Sequence, residues 1–124
     1  INKRKMQSKG IRNVNFILGA EKITNLPKES IDYLIMVDVY HELEFPYEIM
    51  QDVYRAMKYN GKVVLVEYRK EDPKIMIKPL HKMSIKQIRK EMRNSGFELN
   101  RSFQGLPRQH MLFFNKILSA KKNK

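Results

Sequence analysis

Two short, almost unbroken apolar segments constrain most strongly how this 124-residue chain can fold. They are Ile31–Val37 (IDYLIMV) and Lys62–Tyr68 (KVVLVEY), and neither alternates between apolar and polar residues. Runs of this kind and length are typical of strands that are covered on both faces, as in a parallel sheet. Val14–Leu18 (VNFIL) is a third, shorter strand candidate.

The segment between the two strands has the pattern of a helix. Pro46 suits the first helical position, and Asn60-Gly61 suits the end of a helix. Apolar residues recur at helical spacing between them: Ile49, Met50, Val53, Ala56 and Met57. A strand, a helix and a strand of these lengths form a βαβ unit, which is right-handed in nearly all proteins.

The C-terminal third predicts one more helix and two more strands. Ser84 with Gln87 has the spacing of a capping box, and Gly96 ends the apolar helical stripe. Strands are expected around Phe97–Phe103 and Met111–Phe114, and their short connection favours an antiparallel pair. We therefore predict one α/β domain over residues 1–124, with a mostly parallel sheet and an antiparallel last strand.

The net charge of +12 raises the question of nucleic-acid binding. However, nine of the 25 basic residues and none of the 13 acidic residues lie in residues 1–12 and 116–124. The first of these segments is predicted to be the end of a basic helix that stops near Gly10. No aromatic residues are interleaved with the tail lysines, as a stacking surface for bases requires. The distribution favours solvated basic tails over a nucleic-acid site.

The composition also bears on location and membranes. The chain has no cysteine, which excludes disulfides and thiolate metal sites and suits a reducing cytoplasm. No apolar run approaches the roughly 18 residues of a membrane-spanning helix. We therefore expect a cytoplasmic protein that does not enter a membrane.

Ionisable side chains cluster where the predicted parallel strands end. Asp38, Tyr40 and His41 follow the first strand, and Glu67 ends the second. Ligands of open α/β sheets bind beyond the carboxyl ends of the strands. The loops that carry His81 and His110 fall at the same edge, so we predict that all three histidines converge there.

Four stretches carry a resemblance to a known family. They are NVNFILGAEKITNLPKESIDYLIMVDVYHEL, MQDVYRAMKYNGKVVLVEY, GFELNRSF and QHMLFFNKI. In this order and spacing they resemble the C-terminal half of class I S-adenosylmethionine-dependent methyltransferases, in particular small-molecule enzymes of the type found in quinone biosynthesis. The resemblance implies a Rossmann-like sheet, S-adenosyl-L-methionine as cofactor and a small-molecule methyl acceptor.

The resemblance also implies site residues. Gly19, Ala20 and Glu21 match the turn on the adenine side of the cofactor, and Val37 and Asp38 match the exit of the family's fourth strand. Ala20 stands where an aspartate is common, so only a main-chain contact with the cofactor is expected there.

His41 is our candidate for the catalytic base, because the unperturbed pKa of histidine lies near neutrality. Asp38 or Glu42 would orient it, and Tyr40 completes the catalytic candidates. The alternatives are that His41 caps the strand end, that Asp38 forms an Asx-turn and that Tyr40 is a packing residue.

Three further residues are candidates for contact with the acceptor: Glu67, His81 and His110. Each has a structural alternative, because a glutamate at a strand end often orients a loop and loop histidines are often satisfied by local hydrogen bonds. A metal site made from the three histidines and a carboxylate is an alternative as well. We assign no metal ligands, since the histidines lack paired-ligand spacing.

Two family features are absent: the glycine-rich loop after the first strand, and the acidic residue that ends the second. In the family's strand order, 3-2-1-4-5-7-6, the first two strands separate Val14–Leu18 from Ile31–Val37. We therefore expect an incomplete domain, completed by an N-terminal half, another chain or a second copy, because a bare strand edge recruits other chains. The rival interpretations are a non-catalytic binding or regulatory chain of this fold, a basic nucleic-acid-interacting protein and a metal-dependent enzyme.

Overall fold

A computed structural model describes residues 2–118, so the predicted tail lysines at positions 121, 122 and 124 lie outside the described part. The strands are β1 (Ile31–Val37), β2 (Met57–Arg69), β3 (Lys82–Met83), β4 (Phe97–Phe103) and β5 (Gln109–Lys116). The helices are α1 (Asn2–Ser8), α2 (Pro46–Ala56) and α3 (Ile85–Asn94), with 3-10 turns at Tyr40–Glu42 and Pro79–His81. The helix end near Gly10, which has a φ of +72°, is confirmed.

The strands form one sheet in the order β1-β2-β5-β4. The β1–β2 pair is parallel and connected through α2, which confirms the predicted βαβ unit. The β2–β5 and β5–β4 pairs are antiparallel, which confirms the antiparallel C-terminal pair. Two residues of β3 add a short parallel pairing at the end of β2. The observed order equals the 4-5-7-6 part of the expected family sheet.

Two expectations about the parallel part of the sheet were wrong. Val14–Leu18 forms no strand, and the segment 9–30 runs without any ladder pairing. The long ladders are therefore one parallel and two antiparallel, so the described sheet is not mostly parallel. The physical reason is that Val14–Leu18 is separated from β1 by two strands in the expected order, and residues 2–118 contain neither of them, so this segment has no partner strand.

The two longer helices cover one face of the sheet. Pro46 begins α2 as predicted, and its buried residues lie at helical spacing: Ile49, Met50, Val53 and Ala56. The hydroxyl of Ser84 accepts a hydrogen bond from the Gln87 amide and begins α3. These helices enclose the core together with buried side chains of the sheet: Val63, Leu65, Phe97, Leu112 and Phe114.

The second strand begins earlier than predicted. The helix ends at Ala56, and Asn60-Gly61 lies within β2 instead of ending α2. The register of β1 against β2 shifts between Ile31 and Tyr33. A Cβ atom on Gly61 would lie 2.8 Å from the carbonyl oxygen of Ile31, so a glycine allows the two strands to approach here.

The face of β1 opposite the helices is exposed. Tyr33, Ile35 and Val37 are 64%, 62% and 53% exposed, and Leu18 of the preceding segment is 89% exposed. The prediction that both apolar strands are covered on both faces therefore holds for β2 but not for β1. A row of exposed apolar side chains on one strand is typical of a surface that another element covers. None of the helices in the described residues is long and apolar enough to cross a membrane.

Candidate functional site

The exit of β1 turns the chain sharply away from the sheet. Asp38 has a φ of +55°, which is uncommon for a residue with a side chain and is found mainly at functional or tightly constrained positions. Its amide donates to the carbonyl oxygen of Val66, and its carboxylate accepts from Gln109 Nε2 at 2.9 Å to each oxygen. These bonds fix the start of the 3-10 turn that carries His41.

His41 pairs with the buried end of β2. Its Nδ1 atom lies 2.6 Å from Oε1 of Glu67, and the side chains of His41 and Glu67 are 6% and 0% exposed. Because a carboxylate can only accept, the hydrogen lies on Nδ1 when the imidazole is neutral and Glu67 is ionised. The Nε2 atom of His41 then carries the lone pair of the ring. This is the arrangement in which a carboxylate orients a histidine base and stabilises its protonated form.

The environment of Glu67 has two opposing effects on its acidity. Burial raises the pKa of the Glu67 carboxyl, while the hydrogen bond and charge of His41 act in the opposite direction, and burial prevails. Its second oxygen, Oε2, has no hydrogen-bond partner among residues 2–118. A carboxylate buried in an otherwise apolar strand is costly unless it is paired, so His41 is the main compensation for its presence.

A second histidine, His81, and a second carboxylate, Glu42, lie next to the Nε2 atom of His41. Nδ1 of His81 lies 3.2 Å from Nε2 of His41, and the two rings are edge to face with centroids 5.2 Å apart. Oε1 of Glu42 lies 3.6 Å from Nε2 of His41 and 3.9 Å from Nδ1 of His81. His81 and Glu42 are both exposed, whereas His41 is not.

This cluster borders a cavity of about 440 Å³, which is within the size range of small-molecule sites. Apolar and polar side chains both line it: Asp38, His41, Glu42, Tyr68, Met76, Ile77, Lys78 and His81. The cavity lies at the carboxyl ends of β1 and β2, where ligands of open α/β sheets bind. A cavity is therefore present at the edge that the sequence predicts.

The structure changes which residue orients His41. We expected Asp38 or Glu42, but Asp38 bonds to Gln109, and Glu67 takes the orienting position. Glu67 appeared in the sequence only as an acceptor-contact candidate. The signal that identifies it is the presence of a carboxylate in the buried run VVLVE, which requires a partner inside the fold.

Tyr40 is positioned as a packing residue. It is buried, and its hydroxyl donates to Glu91 of α3 at 2.9 Å. Burial and the charge of Glu91 raise the pKa of Tyr40 well above its usual value, so it remains a hydrogen-bond donor. The geometry favours the packing interpretation over a catalytic one.

His110 lies at the predicted edge of the sheet, opposite Glu67 in the β2–β5 ladder, but its side chain does not join the cluster of His41 and His81. Its Nε2 atom lies 2.9 Å from Glu71 and its Nδ1 atom 3.2 Å from Gln104. Glu71 also accepts from the amide of Ile85 at the start of α3. Burial raises the pKa of Glu71, but the hydrogen bonds from Ile85 and His110 outweigh it and lower the pKa overall. His110 therefore joins β5 to the loop after β2.

The predicted cofactor residues lie in two places. Gly19, Ala20 and Glu21 form an exposed turn in which the Ala20 amide donates to the carbonyl oxygen of Ile23 at 2.7 Å. A main-chain contact by Ala20 would therefore use its carbonyl oxygen. Val37 is half exposed at the end of β1, next to Asp38.

A partly buried carboxylate on α2 anchors the segment that carries this turn. Asp52 accepts from the amide and hydroxyl of Thr24, at 2.8 and 2.5 Å, and from Arg55 Nε at 3.0 Å. Arg55 also donates to the carbonyl oxygen of Leu26. Burial raises the pKa of Asp52, but the bonds from Arg55 and Thr24 and the charge of Arg55 outweigh it, so the pKa is lowered.

Replacing Asp52 with asparagine is expected to lower the free energy of unfolding by about 1.5 kcal/mol near pH 7, since bonds to a charged group are lost. The pKa of Asp52 is lowered in the folded state, so its contribution is present above the unfolded value of 3.8 and lost as pH falls through the folded value. The two proteins should therefore converge in stability below about pH 4.

Urea denaturation from pH 7 to pH 3 measures this difference. Glu44→Gln, which removes an exposed carboxylate beside the same helix, is the control and should change stability little at any pH. A difference between Asp52→Asn and the parent protein that stays constant down to pH 3 would contradict the role given to this carboxylate.

Comparison with known proteins identifies relatives of the fold. The sequence of residues 1–65 matches a protein family described as "Methyltransferase domain". No curated protein sequence matches the chain. Among solved structures, a SAM-dependent methyltransferase from Aquifex aeolicus superposes with a TM-score of 0.83 at 18% identity. The match covers 93% of this chain and 61% of that chain.

Two other solved structures have the same fold and different activities in their descriptions. The O-methyltransferase NcsB1 from neocarzinostatin biosynthesis, in complex with S-adenosyl-L-homocysteine and 1,4-dihydroxy-2-naphthoic acid, has a TM-score of 0.76 at 11% identity. The cyclase SpnF has a TM-score of 0.76 at 13% identity. Each match covers 94% of this chain, and they cover 38% and 61% of those chains. This chain thus spans less than two thirds of the length of each of these three proteins.

Proposed function

Because the chain belongs to the methyltransferase-domain family, which it matches over residues 1–65, we propose that it transfers a methyl group from S-adenosyl-L-methionine to a small-molecule acceptor. The observation that carries the proposal is the His41–Glu67 pair beside the 440 Å³ cavity at the carboxyl ends of β1 and β2. A buried, oriented histidine facing a small-molecule cavity suits the removal of a proton from an acceptor.

The predicted cofactor residues fit one side of such a cofactor. Val37 offers an exposed aliphatic surface, and the turn at Gly19, Ala20 and Glu21 carries little side-chain bulk before Glu21. The Asp38 carboxylate is held in place by Gln109 at the strand exit. When bound, S-adenosyl-L-methionine supplies an activated, electrophilic methyl group.

In the proposed mechanism, His41 accepts the acceptor's proton on Nε2. Glu67 holds Nδ1–H in place and stabilises the imidazolium that forms, so that the imidazole does not need to reorient. The cavity positions the acceptor next to Nε2 and limits the access of water, which is the main contribution a protein makes to this class of reaction. His81, which contacts Nε2 directly, is the residue that an acceptor would displace.

We propose in addition that another stretch of polypeptide, or a second copy of this chain, covers the outer face and edge of β1. The exposed side chains of Tyr33, Ile35 and Val37 support this, together with Leu18 on the preceding segment. Covering these side chains would also enclose the cofactor side of the site. A cytoplasmic location is part of the proposal and is supported by the absence of cysteine.

A non-catalytic chain of the same fold is the second candidate function. The fold alone does not determine an activity, since a structure described as a cyclase and one described as an O-methyltransferase both match the chain with a TM-score of 0.76. A nucleic-acid-binding protein is favoured only by the net charge.

Cofactor binding separates these candidates. Titration of the protein with S-adenosyl-L-methionine in a calorimeter is expected to give saturable heat, and a concentration of 100 times Kd should stabilise the fold by about 2.7 kcal/mol. Val37→Asp is expected to weaken binding at least tenfold, because it places a charge against the adenosine. Tyr59→Asp, at an exposed position at the opposite end of the sheet, should not. The absence of both heat and thermal shift at millimolar ligand would refute the cofactor assignment.

A further inference from the structure

We propose that His41, His81 and Glu42 form a binding site for a divalent transition-metal ion such as Zn²⁺. Three potential ligand atoms face one another here: Nε2 of His41, Nδ1 of His81 and Oε1 of Glu42. The two nitrogens are 3.2 Å apart, and the carboxylate oxygen is 3.6 and 3.9 Å from them. The two histidines are 40 residues apart in sequence, so no metal-binding spacing motif indicates the site.

The distances suit a four-coordinate ion. Metal–ligand bonds of about 2.0–2.2 Å in a tetrahedron place neighbouring ligand atoms about 3.3–3.6 Å apart. The two nitrogens, 3.2 Å apart, lie just below this range, and the carboxylate oxygen, at 3.6 and 3.9 Å from them, lies at and above its upper end. A small rotation of the exposed Glu42 side chain shortens the longer of these two distances. Two imidazoles and one carboxylate are a ligand set that zinc uses when a fourth position is left open. Here that position faces the cavity.

Glu67 provides the support that metal-ligating histidines usually have. Such a histidine donates its other ring N–H to a carboxylate or carbonyl oxygen, which fixes the ring and makes the ligating nitrogen more basic. Nδ1 of His41 has this partner in Glu67, at 2.6 Å and fully buried. The lone pair of Nε2 is therefore directed outward, towards His81 and Glu42. A histidine that only caps a strand end would not require this arrangement.

One consequence of metal binding rests on the proposed function. A metal ion on Nε2 of His41 occupies the atom that is proposed to accept the proton of the acceptor. The metal-loaded protein should therefore transfer methyl groups more slowly than the metal-free protein, and a chelator should restore the rate. The binding of the metal itself does not depend on the protein being a methyltransferase.

Equilibrium dialysis of the chelator-treated protein against Zn²⁺ tests the site directly. We expect one equivalent to bind, and Co²⁺ in its place to give the intense visible absorption of a tetrahedral ion. His81→Ala should weaken binding at least tenfold without unfolding the protein, because His81 is exposed. His110→Gln is the matched control, since His110 belongs to the Glu71 pair, and it should bind as the parent protein does. Absence of stoichiometric binding, or equal affinity of His81→Ala and the parent, would overturn the proposal.

The role of Glu67 gives a second, independent measurement. Glu67→Gln should lower the affinity for Zn²⁺ about tenfold or more, which is the usual effect of removing the carboxylate behind a metal-bound histidine. An unchanged affinity would remove Glu67 from the site. If Zn²⁺ binds as expected but the metal-free protein neither binds S-adenosyl-L-methionine nor transfers methyl groups, the proposed function fails while the metal site stands. If the metal-free protein binds S-adenosyl-L-methionine and transfers methyl groups but no Zn²⁺ binds, the metal site fails while the proposed function stands.

Discussion

Replacing His41 with alanine is expected to lower the turnover of methyl transfer by about 10²- to 10⁴-fold, the range for loss of a positioned base. The affinity for S-adenosyl-L-methionine should stay within about twofold, because the predicted cofactor contacts lie elsewhere. Turnover is measured by following methyl incorporation into the acceptor in the presence of a chelator. Cofactor affinity is measured by calorimetry on the same preparation.

Two variants give this experiment its controls. Glu67→Gln keeps an oxygen that can accept from His41 but removes the negative charge, so its rate should lie between those of the parent and His41→Ala. His110→Gln changes a histidine outside the cluster and should retain the parent rate. A normal rate for His41→Ala would remove His41 from the mechanism. An equal loss in His110→Gln would show that the effect comes from the fold.

Replacing Phe97 with alanine is expected to lower the free energy of unfolding by about 3–5 kcal/mol, the range for truncation of a buried phenylalanine. Phe97 begins β4, is 1% exposed and packs edge to face against Tyr54 of α2 with ring centroids 5.5 Å apart. Truncation removes this ring pair and leaves a cavity between the helices and the sheet. Urea denaturation followed by circular dichroism gives the value.

Phe103, at the other end of the same strand, provides the matched control. It is 39% exposed, so Phe103→Ala should cost about 1 kcal/mol or less. Because both substitutions remove the same atoms from one strand, the comparison isolates burial. Equal losses for the two variants would contradict the core described here.

Elements set by local patterns were predictable from the sequence. Pro46 and Ser84 mark the starts of α2 and α3, and the apolar run Ile31–Val37 coincides with β1. The start of β2 was not predictable, because Asn60-Gly61 usually ends a helix. Here Gly61 allows the carbonyl oxygen of Ile31 to approach the backbone of β2 closely. This is a tertiary contact, and the neighbouring sequence does not indicate it.

The location of the candidate site could be predicted from the sequence, but most of the hydrogen-bond partners of its residues could not. His41 follows from its place after a buried strand, since strand ends at one sheet edge are neighbours. The pairing of His41 with Glu67 follows from side-chain directions and from the positive φ of Asp38, and neither can be obtained from spacing alone. The partners of His110 were unpredictable for the same reason: it lies at the predicted edge, but its side chain is bonded to Glu71 and Gln104.

The hydrogen bonds of the residues that flank His41 determine at which stage of chain synthesis the site can form. The residues that fix its turn are tied to partners far ahead of them: Tyr40 to Glu91, 51 residues later, and Asp38 to Gln109, 71 residues later. Contacts of such long sequence separation form late, because the loop between them must close first. A ribosome-bound chain that has not yet released residue 109 therefore carries His41 without its geometry. The turn that carries His41 is therefore fixed on both sides only after the C-terminal hairpin has folded against it.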